Sequence, residues 1–364
     1  FILTSNIEKI EFKGNLELIA VIPKPKQKER LKMRKVALIT GVVGQDGYYL
    51  TELLLEKNYE VHGIVQSMSQ INNSALNKYL NNENFFVHIG DLTDASNINR
   101  IIENVKPDEI YHLASQSHVD LSYEIPEYTA QVNALGTLRL LDAIKSSEIK
   151  TKLFNMSTAQ LFSGDIYPQN EDTPFDPSSP YAISKLYAHY IVKSYRTNYN
   201  LYAVNGICYN HESAIKDSSF VSKKIVEGVK RCLVDKSFVL KLGNLNATRE
   251  WGHAKDYALA MWIMLQQEVA CDYVIATGEA YTVREFATKA FAKKGIKLKW
   301  VGEYLEEKGI DEETNRVLIE VSLQFLRPVD AKILLGDSTK FQNKTSWHPQ
   351  YDIDKLLDSM FEGE

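Results

Sequence analysis

The sequence is poor in cysteine, in long apolar runs and in excess charge of either sign. Its three cysteines among 364 residues are isolated, which argues against a disulfide framework or a cysteine metal site and fits a reducing compartment. No apolar run approaches the roughly 20 residues of a membrane span, and the first residues lack a signal-peptide pattern. The net charge is only -5, with acids and bases interspersed. We therefore expect a cytoplasmic protein that binds neither membranes nor nucleic acids.

The first 32 residues differ in pattern from the rest of the chain. An alternating stretch is followed by the charged run KPKQKERLK, and the enzyme-like sequence begins near Met33. We interpret residues 1–32 as an extension or linker, which leaves open a fusion to an upstream domain. The length of the remaining chain predicts a large α/β domain with a smaller second domain.

Short apolar runs alternate with helical patterns from Val36 onward, beginning with VALIT and YYLTELLLEK. This alternation predicts an α/β fold, a Rossmann-like doubly wound parallel sheet, over residues 33–211, with later segments returning to it. After Glu212 the alternation loosens. Residues 212–364 are predicted to form a smaller domain over the carboxyl ends of the strands, where ligands bind in such folds.

A glycine-rich turn joins the first predicted strand to the first predicted helix. It reads Gly41-Val-Val-Gly44-Gln45-Asp46-Gly47. Glycines at such a turn let the backbone approach a pyrophosphate, which then lies at the helix N-terminus. The position of the turn therefore predicts a dinucleotide site.

The residues after the second strand normally select the cofactor. An acidic residue there binds the ribose 2′-hydroxyl of NAD, and an arginine accommodates the 2′-phosphate of NADP. This chain has neither, because Val65 is followed by Gln66-Ser67-Met68-Ser69. The residues alone leave the choice open.

Further strand ends carry candidate cofactor and catalytic residues. Asp91 and Leu92 follow the third strand, and Leu113, Ala114 and Ser115 follow the fourth. Thr158 ends the fifth. Tyr181 and Lys185 are one helical turn apart, so their side chains share a face. A nearby ammonium lowers the pKa of a phenol, which can then take a hydroxyl proton as hydride leaves the carbon.

These residues resemble the extended short-chain dehydrogenase/reductases, and within them the GDP-mannose 4,6-dehydratase family. The likeness runs from about Lys35 to about Trp347. The Gly-Gln-Asp-Gly form of the turn, the segment Asn210-His211-Glu212-Ser213 and the segment Trp251-Gly252-His253-Ala254-x-Asp256-Tyr257 are distinctive of the family.

The resemblance implies binding residues for both ligands. It implies an NADP cofactor, with NAD as the alternative, and adds His211 to the cofactor residues. It also implies a GDP-hexose pocket, and it implies a homodimer or homotetramer, with no metal. The pocket would include Ser117, Asn210, Lys224, Leu242, Gly243, Asn244, Arg249, Arg327 and Asp330. Arg249 and Arg327 suit a diphosphate because a guanidinium fork binds two oxygens.

The chain departs from the family two residues after the catalytic threonine. The family has a glutamate there, which removes the C5 proton, and this chain has Gln160. An amide cannot take or give a proton near neutral pH, and acid–base help is worth roughly 10²- to 10⁴-fold. Asp120 is an alternative carboxylate near the site. The paired arginines of the family after the second strand are Gln66-Ser67 here.

We predict a lyase similar to GDP-mannose 4,6-dehydratase, which forms a 4-keto-6-deoxy sugar for deoxyhexose synthesis through transient C4 oxidation. Gln160 belongs to the catalytic set with Thr158, Tyr181 and Lys185. Two alternatives remain open. A GDP-sugar 4-oxidoreductase or epimerase would oxidise C4 without dehydration, and a non-catalytic homologue would bind the nucleotide sugar without turnover.

Overall fold

A seven-stranded parallel sheet is the centre of the structure, a computed structural model that describes residues 34–326, 331 and 333–363. Its strands are β1 (Val36–Thr40), β2 (Glu60–Val65), β3 (Phe85–Ile89), β4 (Glu109–His112), β5 (Lys152–Thr158), β6 (Tyr202–Cys208) and β11 (Tyr273–Ile275). The spatial order is β11-β6-β5-β4-β1-β2-β3, and every neighbouring pair is parallel. The order reverses between β1 and β4, which is where such sheets bind dinucleotides.

Helices cover both faces of this sheet, as expected of buried parallel strands. The helices are α1 (Gln45–Glu56), α2 (Met68–Asn72), α3 (Ala95–Val105), α4 (Val119–Glu124), α5 (Pro126–Ala130), α6 (Gly136–Ser147), α7 (Pro180–Tyr199), α8 (Val221–Val234), α9 (Ala254–Gln266), α10 (Val283–Ala292), α11 (Thr339–Thr345) and α12 (Ile353–Glu362). Helices α1 and α9 pack on one face through a core that includes Leu50 and Met261. Helices α3, α6 and α7 pack on the other through a core that includes Ile101 and Leu141.

Short strands build smaller sheets beside the main one. They are β7 (His211–Glu212), β8 (Leu240–Leu242), β9 (Thr248–Glu250), β10 (Gly252–His253), β12 (Ala280–Thr282), β13 (Leu298–Val301), β14 (Lys308–Asp311), β15 (Val317–Val321) and β16 (Ile333–Leu334). The order β13-β14-β15-β8 makes one sheet, β12-β9-β16 a second and β10-β7 a third. A separate apolar core, with Ile225, Phe286 and Leu357 among its members, joins α8, α10 and α12 to these strands.

The predicted fold class is confirmed, because the sheet is parallel with helices on both faces. Two elements from the later part of the chain return to the large sheet: β11 is its edge strand, and α9 packs on one of its faces. The described residues from Arg34 belong to one compact unit, so the predicted boundary near residue 211 stays a prediction. The predicted extension, residues 1–32, lies outside the described residues, as do Arg327 and Asp330.

Candidate active site

The glycine turn after β1 has the geometry of a close backbone approach. Gly41 has a φ of +72°, and a Cβ there would lie 2.7 Å from the backbone of Ala114. A Cβ on Gly47 would lie 2.3 Å from the carbonyl oxygen of Val42. Side chains at these two positions are therefore excluded, the first by conformation and space and the second by space alone.

The turn opens onto the N-terminus of α1. Gly44 is the N-cap residue, and its lack of a side chain leaves the first helical N–H groups uncapped. A helix N-terminus with free N–H groups attracts a phosphate through its dipole and its donors. This cradle of glycines and free donors fits the pyrophosphate of a nicotinamide dinucleotide.

The side chains of Gln45 and Asp46 tie the turn to the segment after β6. The Gln45 side chain accepts a 2.7 Å hydrogen bond from Ser213 and donates one of 3.1 Å to the carbonyl of His211. Asp46 lies 2.9 Å from the His211 imidazole, which stacks on Tyr257. Burial raises the pKa of Asp46, but His211, Lys216 and Gln45 together lower it by more, and the net shift is downward. The carboxylate is therefore held in its charged form.

The ends of β2 and β3 meet through an amide and a carboxylate. Gln66 donates a 2.8 Å hydrogen bond to Asp91, and Asp91 also accepts from the backbone and hydroxyl of Thr93 at 2.8 Å each. Leu92 is buried against Gly136. The structure thus brings together two of the predicted cofactor residues, Gln66 and Asp91, at one edge of the sheet.

The segment after β4 turns back along β1. The Thr40 hydroxyl accepts hydrogen bonds from the N–H groups of Leu113 and Ala114, at 3.2 and 3.1 Å. Ser115 donates to the amide oxygen of Asn133 at 3.1 Å. Asn133 lies in a π-helical turn, Gln131–Leu135. This arrangement places the predicted residues of the fourth strand end beside the glycine turn.

Thr158, Tyr181 and Lys185 converge at the end of β5. Helix α7 begins with Pro180 and is capped by the Ser179 hydroxyl, which accepts from the Ala182 N–H, so its first turn is rigid. The buried Tyr181 hydroxyl is hydrogen-bonded to Thr158. The Lys185 ammonium donates to the Met156 carbonyl at 3.0 Å. The catalytic trio predicted from the sequence is therefore brought together.

Burial controls the ionisation of the tyrosine and lysine. It raises the pKa of Tyr181 to about 12, against the opposing effect of the Thr158 hydrogen bond. It lowers the pKa of Lys185 to about 8. The sequence predicts that the Lys185 ammonium lowers the pKa of the Tyr181 phenol. The structure corrects that expectation, because desolvation outweighs other effects on Tyr181.

Gln160 follows Thr158 in a short 3-10 turn, Ala159–Leu161. Its backbone N–H donates to the Thr158 hydroxyl oxygen at 3.2 Å, and the residue is half-buried. The amide side chain therefore starts beside Thr158, the threonine that the sequence predicts to be catalytic. Asp120, the alternative carboxylate, lies in α4 and is exposed.

The structure adds residues that the sequence reasoning missed. Cys208 pairs in register with Thr158 on the adjacent strand, and it interacts with both Lys185 and Asp46. His112 is buried and bonded to Thr40 at 2.8 Å. Burial, with the charge of Lys185, lowers the pKa of His112 to about 3. In the sequence, only the positions of Cys208 and His112 at the carboxyl ends of predicted strands indicate that they lie at the site.

Most of the predicted sugar-nucleotide residues lie on α8, on or just after β8, on β9 and just after β6, and Ser117 lies after β4. The Lys224 ammonium is 3.0 Å from the centroid of the Phe325 ring, and burial lowers its pKa to about 8. A Cβ on Gly243 would lie 2.1 Å from the carbonyl oxygen of Phe325. Leu242 accepts from the Ser322 N–H at 2.8 Å. Lys224, Leu242 and Gly243 therefore share one neighbouring segment, residues 322–325.

The remaining predicted substrate residues are less tightly grouped. Arg249 is buried and donates to the Thr248 carbonyl at 2.7 Å. The Asn210 carbonyl accepts from Gly252 at 2.9 Å, and the Asn244 side chain accepts from Asn246 at 3.0 Å. Ser117 is exposed.

Among residues 34–326 and 333–363, none of the helices combines the length and apolar character that a bilayer crossing needs. In the same part of the chain, no three His, Cys, Asp or Glu side chains form a group that could hold a metal ion. Cys208, Cys232 and Cys271 are free thiols.

The parallel sheet, the glycine turn at its switch point and the Thr-Tyr-Lys trio define an extended short-chain dehydrogenase/reductase. The family model described as GDP-mannose 4,6 dehydratase matches residues 38–360. The chain belongs to the GDP-mannose 4,6-dehydratase family.

Curated relatives cover nearly the whole chain. The GDP-mannose 4,6 dehydratase of Homo sapiens is 47% identical over 339 residues, which are 90% of this chain and 91% of that protein. The GDP-mannose 4,6-dehydratase of Sinorhizobium fredii (strain HH103) is 45% identical over 335 residues, 90% of this chain and 95% of that protein.

Solved structures support the fold. UDP-glucose 4-epimerase of Thermus thermophilus, in complex with NAD, has a TM-score of 0.74 at 24% identity and covers 90% of this chain and 99% of its own. RMD from Pseudomonas aeruginosa, complexed with NADPH, has a TM-score of 0.72 at 20% identity and covers 91% of this chain and 97% of its own.

Proposed function

We propose that the protein dehydrates GDP-mannose, or a closely related GDP-hexose, to its 4-keto-6-deoxy form. The observation that carries the proposal is the convergence of Thr158, Tyr181 and Lys185 in a member of the GDP-mannose 4,6-dehydratase family. The family relationship supports the sugar nucleotide, and the trio supports oxidation at the C4 hydroxyl.

The chain has the residues to hold a nicotinamide dinucleotide. Gly41, Gly44 and Gly47 form the pyrophosphate cradle at the start of α1. Tyr181 and Lys185, on α7, lie at the end of β5, which is two strands from β1 in the sheet. The bound nicotinamide supplies a hydride acceptor for C4 and later a hydride donor for C6.

Tyr181 is the group that takes the proton from the C4 hydroxyl. Its oxygen is hydrogen-bonded to Thr158, which orients it. The Lys185 ammonium, with its pKa near 8, is charged at neutral pH yet close to releasing a proton. Its charge stabilises the Tyr181 phenolate, which accepts the C4 hydroxyl proton and becomes a phenol as the hydride leaves C4.

The second half of the reaction removes water across C5 and C6. The C4 carbonyl acidifies the C5–H bond, so this step needs less help than proton removal from an unactivated sugar. Gln160 starts beside Thr158, and its amide can orient the C6 hydroxyl by hydrogen bonding but cannot move a proton. We therefore propose that elimination limits the overall rate.

Mass spectrometry of the product formed from GDP-mannose with NAD or NADP tests this function. The expected product is lighter than GDP-mannose by one water. The variant Tyr181→Phe is the matched control, because it keeps the ring and removes the proton acceptor. A product of unchanged mass, or a 4-keto sugar that keeps its C6 hydroxyl, would overturn the dehydratase proposal in favour of a 4-oxidoreductase or epimerase.

We propose that NAD is preferred over the NADP that the family resemblance implies. Residues 66–76 contain no arginine or lysine, and the Gln66 amide is engaged by Asp91. A cavity of about 360 Å³ borders the glycine turn here, lined by uncharged residues that include Gln45, Gln70 and Asn73. The lining itself offers hydroxyl and amide partners to a ribose and carries no charge for a 2′-phosphate. The Lys78 ammonium behind Tyr48 is engaged by the Tyr48 hydroxyl at 2.6 Å and by Glu52 at 3.2 Å.

We propose that the sugar nucleotide contacts the side chains or backbone of the predicted substrate set. Lys224 and Arg249 would carry the charge that the diphosphate needs. The aromatic face of Phe325, beside Lys224, extends this set. Ser117, Asn210, Leu242, Gly243, Asn244, Arg327 and Asp330 complete it by family resemblance.

A homo-oligomer is proposed from the outer face of α7. Ile183, Tyr187 and Tyr190 are all exposed there, at 56%, 41% and 52%, and they border an apolar groove with Leu186 and Ile191. Contiguous exposed apolar residues mark interaction surfaces. Light scattering coupled to size exclusion should give a dimer or a tetramer, and Tyr187→Glu should shift it towards monomer.

We further propose a cytoplasmic location. The three free thiols are typical of a reducing compartment. Fractionation of cells that express the tagged full chain should place it with cytosolic marker enzymes.

A further inference from the structure

Three buried polar residues of helix α7 follow one another at four-residue spacing, and the chemistry above uses only two of them. Tyr181, Lys185 and His189 are spaced by four residues, so they lie one above the other. All three are at most 8% exposed. The third residue, His189, is therefore a buried imidazole without an assigned role.

Each of these three residues is bonded to strand β5. Tyr181 contacts the Thr158 hydroxyl, and Lys185 donates to the Met156 carbonyl at 3.0 Å. His189 contacts the strand residue between those two: its Nδ1 lies 3.2 Å from the hydroxyl oxygen of Ser157. The helix is thus fastened to the catalytic strand at three successive residues.

An acidic residue behind the imidazole defines its orientation. The Nε2 of His189 lies 3.9 Å from a carboxylate oxygen of Asp272. Arg196 binds Asp272 with both guanidinium nitrogens, at 2.6 and 2.8 Å, so the carboxylate is charged and only accepts hydrogen bonds. At 3.9 Å this is no hydrogen bond, but the negative charge favours the ring proton on Nε2, and Nδ1 then accepts from the Ser157 hydroxyl.

The imidazole is neutral at physiological pH. Burial lowers the pKa of His189 to about 4; Arg196 and Lys193 act in the same direction, and Asp272 opposes them. A neutral ring with one donor and one acceptor can hold a fixed position between Asp272 and Ser157 without titrating during turnover.

Asn205 on β6 braces the same arrangement from the other side. Its side chain donates to the His189 carbonyl at 3.1 Å and accepts from Asn155 at 2.8 Å. Its backbone N–H donates to Asp272 at 2.8 Å. The helix backbone and Asp272 are therefore fixed to β6, and through Asn155 to β5, the strand that carries Thr158.

We propose that His189 is a positioning residue that fixes α7 on β5 and so holds Tyr181 and Lys185 at Thr158. The proposal rests on the proposed function, because its consequence concerns the tyrosine and lysine used there. Ser157 directly precedes Thr158, so a shift of α7 along β5 that breaks the Ser157 contact also displaces the Tyr181 oxygen. A displacement of about 1 Å can cost roughly 10²-fold in rate.

The test compares His189→Phe and His189→Asn in the full chain. Phenylalanine keeps an aromatic ring and loses both nitrogens, whereas asparagine keeps an amide that can bond Ser157. His62→Phe is the matched control, since His62 is also buried, with its two nitrogens at 2.8 Å from His88 and 2.9 Å from Glu60, and it lies on β2.

We expect His189→Phe to lower kcat about tenfold or more while KM for GDP-mannose stays within about twofold. The pH values at which kcat rises and falls should also shift. His189→Asn should restore in part both kcat and its pH dependence. The His62→Phe control should lose thermal stability and keep the kinetics of the unmodified chain.

A third readout needs no substrate. With 13C-labelled tyrosine, the Tyr181 Cζ signal, assigned by its absence in Tyr181→Phe, should move in His189→Phe and not in His62→Phe. If the unmodified chain does not turn over GDP-mannose, the proposed function fails while this signal still tests His189. A His189→Phe protein that loses stability but keeps kcat, its pH profile and the Tyr181 signal would show that His189 only fills space.

Discussion

The Gln66 amide donates a 2.8 Å hydrogen bond to the Asp91 carboxylate, and this contact links the two strand ends that flank the adenosine half of a Rossmann-type site. The substitution Gln66→Arg would place a guanidinium where the amide is. We expect the affinity for NADP to rise about tenfold, because a charge-assisted hydrogen bond to phosphate contributes roughly 1.5–3 kcal/mol. Titration of each cofactor by calorimetry measures this.

Asn77→Arg is the control for the added charge, since Asn77 is exposed in the turn after α2. It should leave the ratio of the NAD and NADP dissociation constants unchanged. Equal gains from both arginines would mean that general electrostatic attraction, and not a contact at position 66, sets the preference.

The buried Lys185 predicts a pH-dependent stability. Its pKa falls from 10.5 to about 8 on folding, so the unfolded chain binds more protons between those values and stability rises with pH across that window. Below pH 8 the buried ammonium costs folding free energy. Lys185→Met should therefore be more stable than the unmodified chain at pH 7, by about 1–3 kcal/mol after the loss of the Met156 hydrogen bond.

Thermal unfolding at pH 7 and pH 9.5 checks whether stability rises with pH in the way that Lys185 predicts. The advantage of Lys185→Met should shrink as the pH rises, whereas exposed Lys236, replaced by methionine, should show no such trend. A constant difference between Lys185→Met and the unmodified chain at both pH values would mean that the lysine is not desolvated.

Alanine substitutions in the glycine turn should differ in how much they lower stability and dinucleotide binding. A Cβ at Gly47 would lie 2.3 Å from the Val42 carbonyl oxygen, whereas one at Gly44 would lie 3.3 Å from that of Gly41. Gly47→Ala should therefore lower the melting temperature more than Gly44→Ala and abolish dinucleotide binding, because backbone atoms cannot move aside cheaply. Equal losses in thermal unfolding and NAD titration would contradict the close packing of α1 on β1.

Much of the sheet could be predicted from local pattern. The predicted strand Val36–Thr40 and the predicted end of the fifth strand at Thr158 agree with the structure, since buried parallel strands read as short apolar runs. The fourth strand ends at His112, so Leu113, Ala114 and Ser115 follow it. Beyond it, the N–H groups of Leu113 and Ala114 bond the Thr40 side chain, which a strand pattern does not reveal.

The contacts within the site depend on tertiary packing. Tyr181 and Lys185 could be paired because helical spacing places them on one face. The links from His189 to Asp272 and from Lys185 to Cys208 join distant segments, so no local period signals them. The same holds for the burial that raises the pKa of Tyr181, where the sequence showed only a nearby lysine.

This chain has Gln160 at the position where the family has a glutamate. Gln160→Glu would place a carboxyl group beside Thr158, where the Gln160 backbone already bonds the threonine hydroxyl at 3.2 Å. If elimination limits the rate, this single change should raise kcat for dehydration by roughly 10²- to 10⁴-fold, the usual value of general acid–base help. Incorporation of solvent deuterium at C5, followed by mass spectrometry, reports proton removal directly.

Gln160→Asp is the matched comparison, because its carboxylate is one methylene shorter and should recover less of the rate. An unchanged kcat in Gln160→Glu, with dehydration already fast in the unmodified chain, would mean that another group moves the C5 proton, and Asp120 would be the first residue to replace. An unchanged kcat with no dehydration in either protein would instead locate the defect before elimination, at the oxidation that Tyr181 serves. The deuterium readout separates these cases, since C5 exchange requires the C4 ketone and does not require loss of water.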